Sequence, residues 1–135
     1  MRCINFDKEF ERFMMAYVKE HGKEYKNYDA IEAAMPDIYA LFLDTPANWL
    51  GGKKPGEYFE QFDNARQLVN WMEDYIKQRI PVPDMLMNRI SELGKEAEEA
   101  LMNLLRKERA PREAVMQAMT LLREIESTAP MAYYI

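Results

Sequence analysis

The residues best placed to do chemistry lie in "TPANWLGGKKPGEYF", Thr45 to Phe59, where Gly51, Gly52 and Gly56 surround Lys53 and Lys54. Glycine-rich backbone beside lysines, just ahead of a helix, is an arrangement that can cradle a phosphate through free N–H groups and ammonium charge. The six residues "GGKKPG" lack the spacing of a P-loop, and a helical turn rather than a strand precedes them. The same stretch also reads as a corner. Thr45 caps, Pro46 opens a short turn, Trp49 and Leu50 face inward, Gly51 takes the left-handed conformation and Pro55 starts the next helix. As a corner it buries Trp49 and leaves Lys53 and Lys54 at an exposed tip; as a loop it uses those two lysines for a small anion.

Other chemistries are limited by shortage. A zinc-type site or a nucleophile–base pair would have to draw on the single histidine, His21, and the single cysteine, Cys3. His21 sits at a helix end, where its expected role is with exposed carbonyls. Glu96, Glu98 and Glu99 follow Lys95 at a helix start, where carboxylates complement the positive helix end rather than form an acid/base pair. No catalytic residue, cofactor or metal ligand is expected. The net charge of -5 argues against nucleic acid and against an anionic membrane surface as partners. Charges at Asp7, Lys8 and Glu9 interrupt any signal-peptide core, and "IYALFL" is too short to span a bilayer, so a cytoplasmic protein is expected.

Apolar spacing predicts an all-α chain. One amphipathic helix runs from Phe6 to near Gly22. A second opens at Asp29 with Glu32 in a capping-box arrangement, and Pro36 kinks or restarts it. A third, capped by Asn64, runs to about Arg79 with Ala65, Leu68, Val69, Met72, Tyr75 and Ile76 inward and Trp71 at the edge. "RIPVPD" then breaks the chain near Pro81. Three further helices follow, at about Asp84 to Leu93, Lys95 to Lys107 and Pro111 to Glu126.

The stretch "ISELGKEAEEALMNLLRKERAPREAVMQAMTLLREIES", Ile90 to Ser127, resembles a HEAT-like helical repeat. A helix ends in Leu-Gly, an Ala/Leu-spaced helix follows, and a short charged turn leads to an Arg-Glu-Ala opening. The resemblance implies an antiparallel helical array or α-α superhelix, with residues 81–135 as the repeat region and residues 1–80 as a divergent cap within one continuous domain. It also implies a non-enzymatic scaffold for protein–protein interaction. Pro111 in the turn departs from the family, and no second copy is found in the first part of the chain.

Residues set away from the apolar stripes are the candidates for contact with a partner. Met102 and Met116 offer adaptable thioethers to a partner or, on helices buried on two sides, touch a neighbouring helix. Arg106, Arg109 and Arg112, with Lys107 among them, form a basic cluster that is either a charged solvated turn or a surface able to meet an acidic partner. Tyr133 and Tyr134, in "STAPMAYYI", are poorly suited to solvent, so they are expected to fold back onto the core, to pair with another copy as a homo-oligomer through the C-terminal end, or to belong to a longer repeat protein. "FLDTPANWLGGKKPGEYF" is similar to a segment of Xre/ParS-type bacterial antitoxins, which implies a toxin-binding module as a further alternative to the scaffold and the small-anion site.

Overall fold

The computed structural model describes residues 2–128. Over them the chain is all-α, with seven α-helices, three 3-10 segments and no strand. Two compact units are present. Asn5–Tyr58 form the N-terminal unit, and the described residues on either side of it form the C-terminal unit.

In the N-terminal unit, helix α1 (Phe6–His21) starts at Asn5, whose side chain accepts from the Lys8 N–H at 3.0 Å. Asp7 and Glu9 in its first turn, and Lys19 and His21 in its last, complement the helix dipole. Helix α2 (Tyr28–Ala33) is capped by Asn27, which accepts from the Ala30 N–H at 2.9 Å. The predicted cap at Asp29 is therefore displaced by two residues. Asn27 has the extended backbone that a cap requires, whereas Asp29 is already helical. Pro36 occupies the first turn of α3 (Met35–Leu43), so the proline restarts the helix instead of kinking it. Ile38, Phe42, Leu50 and Phe6 form the buried core, and the Phe10 ring meets Tyr39 edge-on at 5.0 Å.

The glycine corner is closed by backbone. The Ala47 N–H donates to the Lys53 carbonyl at 3.0 Å, the Gly52 N–H donates to the Ala47 carbonyl at 2.8 Å, and Gly51 is left-handed (φ 66°, ψ 29°). Thr45 closes α3 instead of opening the turn, its hydroxyl donating to the Leu41 carbonyl at 2.6 Å. The expectation that Trp49 is core is corrected: it is 39% exposed. Adjacent residues of a single 3-10 turn diverge by about a third of a circle, so only one can point inward. Leu50 takes that position, and Trp49 stacks over Phe42 at 6.3 Å. Gly56 is needed for close approach, since a Cβ there would lie 3.0 Å from the Leu43 carbonyl oxygen.

In the C-terminal unit, α4 (Ala65–Lys77) packs against α5 (Asp84–Glu92), α6 (Lys95–Leu105) and α7 (Arg112–Thr128). Asn64 caps α4 by accepting from the Gln67 N–H at 3.0 Å, as its position predicts. Trp71, expected at the edge of the apolar stripe, is only 2% exposed. Its indole N–H donates to the Arg2 carbonyl at 3.0 Å, and one turn on the Tyr75 hydroxyl donates to the Ile4 carbonyl at 2.8 Å. Phe59 and Phe62 meet Trp71 edge-on at 5.0 and 5.2 Å. The proline segment at Pro81 lies inside this unit, and the division between the two units falls between Tyr58 and Phe59.

Candidate functional site

Helix α4 ends in a Schellman-type closure with an unusual residue. The Ile80 N–H donates to the Tyr75 carbonyl at 3.0 Å, the Arg79 N–H donates to the Ile76 carbonyl at 3.1 Å, and Arg79 itself has φ 59°. Among the described residues it is the one non-glycine residue with positive φ. Glycine normally fills that position because a Cβ there costs about 1–2 kcal/mol.

The strained arginine lines a cleft. Arg79, Ile80 and Pro81 from the end of α4 and its connection face Pro111, Arg112 and Glu113 at the opening of α7, around a cavity of about 700 Å³. A smaller cavity of about 380 Å³ shares Ile76, Val82 and Glu113 with it and adds Met87, Met116 and Gln117. The Gln117 amide donates to the Met87 sulfur, which holds that methionine at the cleft wall. Arg79 and Arg112 thus line one cavity and Met87 and Met116 the other, with Ile76, Val82 and Glu113 common to both.

The lining offers two guanidinium groups for recognition of a carboxylate. Arg79 and Arg112 are exposed, and neither has an ion pair among the described residues. A guanidinium stays charged and offers a planar fork to a carboxylate. Glu113 is the single carboxylate in the lining, without a histidine, cysteine or second carboxylate beside it to share a proton. Among the described residues no group of three or more His, Cys, Asp and Glu is placed to hold a metal ion. No described helix is long and apolar enough to cross a membrane.

The predicted contact residues are only partly brought together. Arg112 lines the larger cavity and Met116 the smaller one beside it. Met102 is exposed on α6, and Arg106 turns back to its own helix, its Nη1 lying 3.4 Å from Asn103 Oδ1. Arg109 is exposed in the α6–α7 turn. Lys107 leaves the basic cluster altogether and pairs with Glu73 on α4 at 2.8 Å. Tyr133 and Tyr134 lie outside the described residues.

The alternative anion residues are also divided. Lys54 pairs with Asp44 at 2.9 Å, while the Lys53 backbone closes the corner against Ala47. A cavity of about 320 Å³ beside the corner is lined by Thr45, Pro46 and Trp49 and by neither lysine. His21 packs against Tyr17 at 4.6 Å and places Nδ1 3.4 Å from Glu24 Oε1. Burial, followed by the Asp74 carboxylate, pushes the Cys3 thiol up, which disfavours the reactive thiolate.

Sequence reasoning missed Arg79 and Met87. Arg79 falls where the helical pattern stops, and Met87 belongs to an ordinary apolar stripe. A strongly helical segment ending in "KQRIPVP", with no glycine to stop it, was the available signal. No protein-family model, curated protein or solved structure matches the chain.

Proposed function

We propose that this protein is a non-enzymatic helical scaffold whose C-terminal unit binds a segment of a protein partner in the cleft between the α4–α5 connection and α7. The segment presents an apolar anchor next to an acidic side chain. The observation that carries this reading is the left-handed Arg79. Strain of this kind is retained where it positions a functional group, and here it places a guanidinium in the same cleft as Arg112. The apolar anchor belongs between Ile76, Val82 and Met116, and the acid belongs at the arginines.

Ala97, Ala114 and Ala118 are fully buried where α6 meets α7, which supports a closely packed antiparallel pair of HEAT-like type as the frame. The small-anion alternative at Lys53 and Lys54 is weakened by the engagement of Lys54 with Asp44.

Selection of a displayed random-peptide library on the folded chain tests the proposal. Enriched peptides are expected to carry Asp or Glu beside a large apolar residue. Their affinity is expected to fall about tenfold or more in Arg79→Glu and Arg112→Glu, and to weaken with added salt. Enriched peptides without acidic residues, or binding that both arginine variants leave intact, would overturn it.

A further inference from the structure

The N-terminal unit carries an exposed apolar groove of its own. Met14, Met15 and Val18 of α1 face Tyr28, Ile31 and Met35 across a groove of about 520 Å³. Met15 is 74% exposed and Tyr28 75% exposed, the highest exposures of any large apolar side chain among the described residues, and both protrude beside the groove they help to line. Scattered exposed apolar side chains need no explanation, but a contiguous set around a groove marks an interface. Flexible methionines suit such a surface, because they repack around whatever enters.

Charge decides what enters. Lys19 lines the groove from α1 and Glu32 from α2, and neither has an ion-pair partner among the described residues. A ligand of one sign would meet one of these walls and be repelled by the other. A second copy of the same chain, turned by a two-fold axis, presents a glutamate to the lysine wall and a lysine to the glutamate wall. It also brings two protruding side chains to a surface that has a hole for them, which is the self-complementarity that an isologous contact requires.

We propose that the chain pairs with a second copy of itself through this groove. Met15 and Tyr28 of each copy enter the groove of the other, and Lys19 faces the partner's Glu32. The apolar contacts supply most of the affinity, while the exposed rim charges fix orientation and contribute little energy.

Sedimentation equilibrium on the full chain, from micromolar to near-millimolar concentration, reads this directly. Wild type is expected to dimerise reversibly. Met15→Lys and Tyr28→Lys are each expected to give a monomer with an unchanged helical circular dichroism spectrum, since both positions are exposed. Lys19→Glu and Glu32→Lys are each expected to weaken pairing about tenfold, because each places like charges across the axis. An equal mixture of those two variants is expected to recover wild-type association, because the mixed dimer restores both opposite-charge pairs. A wild-type chain that stays monomeric, a dimer insensitive to Met15→Lys, or a mixture that fails to recover would each overturn the proposal. So would a monomer that uses Met15 to bind an amphipathic helical peptide, since the groove would then serve a foreign helix.

Discussion

Lys107 Nζ lies 2.8 Å from Glu73 Oε1, and Glu73 is the one charged side chain buried among the described residues, at 4% exposure. Lys77 reaches the same oxygen only at 4.0 Å, and Oε2 has no hydrogen-bond partner. The burial cost of this carboxylate is offset mainly by one lysine. Lys107→Met is therefore expected to destabilise the chain by about 1–3 kcal/mol, because it leaves a buried charge with a distant partner. Replacing both Glu73 and Lys107 by Met is expected to be near neutral, since an apolar pair can substitute for a buried ion pair. Urea unfolding of the two single variants and the double variant checks this. A double variant as unstable as Lys107→Met would show that the pair acts through packing rather than charge.

Arg79→Gly separates stability from recognition. Glycine relieves the left-handed Cβ at the end of α4, so the midpoint of unfolding is expected to rise by an amount equivalent to about 1 kcal/mol. The same variant removes one guanidinium from the cleft and is expected to lose affinity for acidic apolar peptides. Thermal unfolding and peptide binding, measured side by side, are expected to move in opposite directions. A loss of stability would mean that the arginine side chain supports the fold itself.

The two tryptophans make opposite predictions. Trp71, 2% exposed and hydrogen-bonded to the Arg2 carbonyl, is expected to cost about 3–5 kcal/mol on replacement by Ala. Trp49, 39% exposed, is expected to cost clearly less. Iodide quenching of single-tryptophan variants provides an independent reading, in which the Trp49 signal is quenched and the Trp71 signal is protected until the chain unfolds.

Lys54 carries a pH signature. Its hydrogen bond to Asp44, together with the charge of that carboxylate, raises its pKa above the ordinary lysine value. A raised folded pKa means that the folded state holds the proton more tightly. The contribution is therefore complete below the ordinary lysine pKa and is lost as pH rises through the raised folded value. The stability difference between wild type and Lys54→Met is expected to be small and flat around neutrality and to shrink in strongly alkaline solution. Chemical denaturation across that range checks the sign, and a difference that grows with pH would reverse it.

Helix positions were legible because periodicity and caps act locally. Asn64 starts α4 and Pro36 restarts α3, both through rules that need only a few neighbouring residues. Trp71 was misjudged for the opposite reason. Its burial depends on Arg2, Phe59 and Phe62, which no window around α4 contains. Trp49 was misjudged because its composition suggests core while the geometry of a short 3-10 turn admits only Leu50. The cleft escaped in the same way as Trp71. Arg79 and Arg112 are separated along the chain, and only the packing of α4, α5 and α7 brings them to one cavity.

The hydrogen bonds from Trp71 to Arg2 and from Tyr75 to Ile4 span 69 and 71 positions. They make the C-terminal unit discontinuous in sequence, with the whole N-terminal unit spliced between its two pieces. During synthesis Arg2 and Ile4 leave the ribosome long before their partners exist, whereas the residues of the N-terminal unit are all available once Tyr58 has emerged. Retrieving the early segment requires closing a long loop, at an entropic cost that grows only slowly with its length. In stopped-flow refolding, fluorescence from Trp71 reports that docking, and a Trp71 phase no slower than that of Trp49 would contradict a late closure. For these few residues, the order in which the chain is made and the order in which it is assembled run in opposite directions.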